Sequence, residues 1–160
     1  MAENFFDVGL DRNPANFQPL TPLTFLERSA AVFPDHTAII HGPLRRSYAA
    51  FYERTRQLGS ALASRFGIGR GDTVSVILLN TPAMLECHYG VPMCGGVLHS
   101  INTRLDAKVI AFQLDHAQAK VLIVDRECMA LAQQALQLAD VQPVLIQYDD
   151  PEFTEPTEAV

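Results

Sequence analysis

Residues 73–105 read TVSVILLNTPAMLECHYGVPMCGGVLHSINTRL, and this stretch decides the fold. Val74, Ser75, Val76, Ile77, Leu78 and Leu79 make a compact β-rich run without polar alternation, the pattern of a parallel strand covered on both faces. Thr81 followed by Pro82 supplies an N-cap and a proline at the first helical position, and 84–93 is apolar almost all round, so a largely buried helix is expected. Pro92 removes one backbone hydrogen bond and Gly95–Gly96 end the segment, which predicts a kink near Pro92. A second strand follows at 97–101. Strand, buried helix and strand in that order form a βαβ unit.

Working outward, Leu105 and Asp106 offer a staple and a cap to a helix running to about Asp115, with Leu105 set against Ile110. A strand at 121–124, a helix at 126–138 and a strand at 141–146 continue the alternation, which is α/β order and favours a parallel sheet with right-handed crossovers. Upstream, Thr24 is read as the cap of a helix whose apolar face is Phe25, Leu26, Ala30 and Phe33, stopped by Pro34. A hairpin follows: 37–40, a turn at Gly42–Pro43, then 45–47. Ser47 caps a second helix with Phe51, Thr55, Leu58, Leu62 and Phe66 on one face, while Glu53, Arg54, Arg56, Gln57 and Ser60 face away. Gly67 ends it. Residues 1–23, with Pro14, Pro19 and Pro22 and no sustained periodicity, read as an extended arm; 24–147 read as the folded part; 148–160 read as an acidic, flexible tail.

The chain of 160 residues, 48% hydrophobic, suffices for one substantial core. Its formal net charge of -6 is concentrated at the end, where Asp149, Asp150, Glu152, Glu155 and Glu158 stand with no base among them. A near-neutral body with scattered bases has no surface that tracks phosphates, so nucleic acid is excluded as a partner. Nothing resembles a secretory or transit signal, and no segment reaches membrane-spanning length, which favours the cytoplasm. Cys87, Cys94 and Cys128 lack zinc-site spacing and read as reduced core residues. Glu86, Cys87 and His88 are consecutive in a helix and point in different directions, which argues against a shared metal.

Few residue patterns in the chain carry chemistry of their own. The segment Gly67, Ile68, Gly69, Arg70, Gly71, Asp72 joins a helix to a strand, the reverse of the order a phosphate needs, and reads as a tight turn. Beyond the carboxyl ends of the strands lie Asn80 and Thr81, then Asn102, Thr103 and Arg104, then Asp125 and Arg126; capping and turn formation are their first expected roles, with Arg104 the best candidate for an anion contact. Of the five histidines, His88 and His99 fall in apolar elements and read as core residues, while His36 and His116 sit at element ends and His41 has no assigned role. No residue pattern identifies a nucleophile with its base.

The stretch from Leu79 to Glu86, continuing through Tyr89–Gly90–Val91–Pro92 and on to Leu105, closely resembles the amino-terminal region of fatty acyl-CoA synthetases of the adenylate-forming, AMP-binding family. Arg45–Arg46–Ser47–Tyr48–Ala49–Ala50–Phe51 resembles that family's first core motif, and Gly95–Gly96–Val97–Leu98 with Asn102 its second. The resemblance implies part of the amino-terminal domain of the adenylate-forming fold, of the type in medium- and long-chain fatty acyl-CoA ligases and methylmercaptopropionate-CoA ligase. It implies ATP, Mg and CoA for a complete enzyme acting on a carboxylic acid, with the remainder of that enzyme and a homodimeric second copy as partners. The family's Ser/Thr/Gly-rich phosphate loop and its lysines are not in this sequence, so no position inherits a catalytic, cofactor-binding or metal label, and the chain alone is expected to be inactive. A stand-alone binding or assembly module that keeps the scaffold without the chemistry is the alternative.

Overall fold

The computed structural model describes residues 8–9 and 11–152. The chain runs α1 (Pro22–Val32), β1 (Thr37–His41), β2 (Leu44–Ser47), α2 (Tyr48–Phe66), β3 (Thr73–Ile77), α3 (Pro82–Met93), β4 (Val97–Ser100), α4 (Ala107–His116), β5 (Ala119–Asp125), a 3-10 turn (Arg126–Cys128), α5 (Met129–Leu136) and β6 (Val144–Tyr148). This is the expected α/β alternation. β1 and β2 form an antiparallel hairpin, and the other four strands form a parallel sheet in the order β4-β3-β5-β6.

Sidedness follows from strand alternation. Val74 and Val76 of β3 and Val121 and Ile123 of β5 meet Leu62 of α2 and Cys87 and Val91 of α3 on one face. Ile77, Leu122 and Val124 meet Ile110 and Leu114 of α4 and Ala132 and Ala135 of α5 on the other. Each fully buried Leu or Ile contributes roughly 2 kcal/mol through the apolar surface removed from water. The hairpin and α1 pack as a smaller third cluster built on Leu26, Ile39 and Phe51, with the Phe51 ring edge-on to Tyr89 at 5.3 Å between centroids.

Helices α2 and α3 approach closely because Gly59 and Gly90 face each other's helix. A methyl at 59 would lie 2.9 Å from the Gly90 carbonyl oxygen, and one at 90 would lie 2.8 Å from Leu58 Cδ2. Ser47 and Asp106 cap α2 and α4 through Ala50 N and Val109 N, and Gly67 ends α2 at φ 63°, as the sequence suggests.

Several boundaries differ from expectation. The first helix is capped by Thr21, whose Oγ1 accepts from Thr24 N, with Pro22 at the first helical position; the helix therefore opens inside the predicted arm. Only Leu26 of its predicted apolar face is buried, and Phe25 and Phe33 are exposed. Residues 126–128 form a 3-10 turn before α5, because the buried Asp125 carboxylate accepts from Glu127 N and tightens the entry. β6 begins at Val144 rather than Val141: Pro143 cannot donate to a ladder, and Val141 N is taken by Asp115 Oδ1. Thr81 occupies the N-cap of α3 without making a side-chain cap bond.

Candidate functional site

The connection after β3 moves to one side of the sheet, and the path from β4 through α4 returns past β3 to β5 on the other. Helices α3 and α4 consequently lie on opposite faces, and the topological switch point falls between the carboxyl ends of β3 and β5, where open α/β sheets hold their ligands. Thr81, just beyond β3, and Asp125, at the end of β5, both stand there and both are buried. Thr81 Oγ1 and Asp125 Oδ2 lack a well-formed hydrogen bond among the described residues. Tyr148, paired across from Asp125 at the end of β6, closes the group, and burial, reinforced by the Asp150 charge, pushes its phenol above the ordinary tyrosine range.

Next to this crevice lies a charge cluster that the sequence did not reveal. Glu86, on the inner side of α3, is 7% exposed at its side chain; it accepts from Arg46 Nη1 on β2 and from Arg54 of α2 through Nε (2.5 Å) and Nη2 (3.0 Å). Arg54 was expected to face solvent. Its bonds to Glu86 outweigh its partial burial and hold its guanidinium above the ordinary arginine value. The three residues tie the hairpin, α2 and α3 together at one point.

A cavity of about 380 Å³ opens between β1 and the start of α3, bordered by Ile39, His41, Asn80, Thr81, Met84 and His88. His88 is exposed on the outer side of α3, contrary to its expected core position, with its Nδ1 against the Met84 carbonyl oxygen at 2.8 Å. His99 is half-buried and bonded to Ser75 Oγ at 2.9 Å; burial, then the nearby His116, lowers its affinity for a proton. His36 and His116 stack on Phe33 and Phe112, and His41 pairs with Asp150. Burial, with the Glu86 charge beside it, pushes the Cys87 thiol up to about 12.

The remaining loop residues form turns. Asn102 Oδ1 accepts from Arg104 N at 2.9 Å, closing the loop between β4 and α4, and Arg104 is exposed. In the glycine-dense turn before β3, Asp72 Oδ2 already accepts from Gly69 N at 3.0 Å and Asp72 Oδ1 pairs with Lys120 Nζ at 2.6 Å. Those two contacts, with Lys120 the stronger, hold the carboxyl below its ordinary value.

These donor sets do not fit a nucleotide triphosphate or its magnesium ion. Of the crevice groups without a well-formed partner, Asp125 Oδ2 is a carboxylate acceptor and Thr81 Oγ1 a single neutral hydroxyl, Glu86 is occupied by two arginines, and the glycine-dense turn before β3 already has a carboxylate on the Gly69 N–H. Among the described residues no three His, Cys, Asp or Glu side chains are grouped to hold a metal ion, and no helix is long and apolar enough to cross a membrane.

Comparison with known proteins gives a consistent picture. A family model described as "AMP-binding enzyme" matches residues 26–160. The peroxisomal acetate/butyrate–CoA ligase AAE7 of Arabidopsis thaliana is 48% identical over 131 residues, covering 82% of this chain and 23% of that protein. The acetate–CoA ligase CCL3 of Humulus lupulus is 46% identical over 129 residues, covering 81% and 22%. Among solved structures, a benzoate CoA ligase from Burkholderia xenovorans LB400 superposes with a TM-score of 0.72 at 26% identity, over 79% of this chain and 25% of that one. The chain thus spans about a quarter of the length of each of these three proteins.

Proposed function

The chain belongs to the AMP-binding enzyme family, and on that premise we propose that it is the amino-terminal portion of an ATP-dependent acid–thiol ligase, which converts a carboxylic acid, ATP and CoA to acyl-CoA, AMP and pyrophosphate. One observation carries the reading: the similarity to CoA ligases runs through nearly the whole folded part, yet spans under a quarter of their length.

The portion contributes scaffold rather than chemistry. In-line displacement at the α-phosphate needs N–H donors, cations and a magnesium ion aimed at the charge that develops, and such preorganised groups supply much of the rate enhancement. Here two of the cationic side chains near the crevice, Arg46 and Arg54, are committed to Glu86. What the portion offers instead is a sheet whose carboxyl end presents the Asp125 carboxylate and the Thr81 hydroxyl to whatever packs on it. Sheet edges β4 and β6, with Val97, Val144 and Leu145 exposed, are the surfaces on which further chain of the same enzyme would pair.

The acids named for the two plant relatives make short carboxylates the first panel to assay. The word peroxisomal in one relative's name sets a peroxisomal against a cytoplasmic location, and fractionation of the native source is the measurement that decides between them. The reading of the chain as the amino-terminal portion of a complete ligase is tested by the coding sequence beyond Val160. A Ser/Thr/Gly-rich loop with lysine in frame is the expected result, and a stop codon followed by no such loop would refute it.

A further inference from the structure

We propose that residues 149–152 form a strap that fastens the β1–β2 hairpin to the carboxyl end of the parallel sheet, with His41 as its catch. Beyond Tyr148 the chain does not leave the molecule at once. His41 Nε2, on the last residue of β1, meets both carboxylate oxygens of Asp150 at 3.0 and 2.9 Å, across 109 residues of sequence. Asp150 is 10% exposed at its side chain, and its Oδ1 also accepts from Glu152 N at 3.1 Å, so one carboxylate grips the hairpin and closes the turn that presents it.

A second observation, independent of that pair, lies one residue further along the hairpin. Gly42 holds φ +52°, and a methyl group at that position would come within 2.5 Å of Glu152 Oε2 and 2.8 Å of its carboxyl carbon. The strap therefore lies directly on the hairpin turn, in the space that a side chain at 42 would take. Acidic residues at 149–152, read from sequence as the start of a solvated tail, are here recruited as a structural tie.

The strap and the Glu86 cluster hold the hairpin at two separate places. Arg46 near the end of β2 is anchored to Glu86 of α3, whereas the His41 side chain at the turn end is anchored to Asp150 of the strap. Because His41 also borders the cavity between β1 and α3, releasing the catch frees the hairpin tip and widens that cavity while the Arg46 end stays in place. This inference does not rest on the ligase reading, and its test measures no activity.

The test is amide hydrogen exchange on the 160-residue chain, comparing wild type, His41→Ala, Asp150→Ala and the double variant. Hydrogen bonds to a charged group are strong enough that each single variant should speed exchange at 40–44 and 149–152 by about tenfold. Amides of β3 and β5, and of 45–47 beside the Arg46 anchor, should be unchanged. The double variant should exchange no faster than Asp150→Ala, because that single change already removes the His41 pair together with the Glu152 N bond. Should His41→Ala prevent folding, Asp150→Ala reads the same pair from the other side. Unchanged exchange at 149–152 in either single variant, additive effects in the double, or acceleration spread equally over the sheet would each overturn the strap.

Discussion

Replacing Glu86 with glutamine leaves the side-chain shape nearly intact and removes one negative charge from between two guanidinium groups. Loss of one partner from a buried ion pair typically costs about 3–5 kcal/mol, because the remaining charge stays desolvated. Here the side chains of Arg46 and Arg54 are 20% and 45% exposed, so Arg54 in particular regains water once released. That exposure brings the expectation for Glu86→Gln down to about 2–3 kcal/mol. With a urea dependence of about 2 kcal/mol per molar for a domain of this size, the midpoint should fall by roughly 1–1.5 M, read by far-ultraviolet circular dichroism. Arg46→Ala should cost more than Arg54→Ala, since the former is the more buried. Replacing all three residues with apolar ones should recover most of the loss. A Glu86→Gln variant within about 0.5 kcal/mol of wild type, or an Arg54→Ala variant costlier than Arg46→Ala, would refute the idea that this cluster locks the hairpin to the sheet layer.

Three further outcomes follow from the same geometry. His99 binds its proton less readily folded than unfolded, so the unfolded chain takes up more protons as pH falls; stability should drop below about pH 6.5, stay flat above it, and lose this slope in His99→Asn, by melting temperature across pH 5–8. Alkylation of the native chain at pH 8, followed by mass spectrometry, should label the partly exposed Cys94 first and Cys87 last, since burial holds the Cys87 thiol near 12; early labelling of Cys87 would contradict its packing. Gly90→Ala should destabilise by about 1–3 kcal/mol because its methyl would collide with Leu58, whereas Ala63→Gly on the exposed side of α2 should lose no more than about 1 kcal/mol of helix propensity.

The parallel sheet was legible in the sequence because its strands are continuous apolar runs between strong punctuation: Thr81–Pro82, Gly95–Gly96 and the Asp106 cap all act within a few residues of themselves. The hairpin and both ends of α2 were equally local. What escaped were features made by residues far apart. Arg54 follows the polar periodicity of α2 and is exposed along much of its length, so only the position of Glu86, 32 residues later, reveals that its head group is engaged. Glu86 itself lies in a run apolar enough to suggest burial, and a buried carboxylate demands a cation; that demand was the one signal available. The His41–Asp150 pair gave no signal, since it joins a hairpin to a segment whose composition reads as solvated tail. At the switch point the residues were named correctly as loop and cap positions, but the burial of the Thr81 and Asp125 oxygens depends on how β3, β5 and β6 sit side by side.

The proposal that this chain is the amino-terminal portion of a CoA ligase, supplying scaffold and no chemistry, is put to its sharpest test by exchange of labelled pyrophosphate into ATP. The measurement reports acid adenylation without requiring CoA, and it is run on the 160-residue chain freed of host synthetases, with acetate, butyrate and longer carboxylic acids in turn. No acid-dependent exchange above the buffer control is expected for any of them, since the sequence carries no Ser/Thr/Gly-rich loop with lysine to supply the donors and cations a triphosphate needs. Reproducible acid-dependent exchange that disappears when the chain is removed by affinity depletion would contradict it.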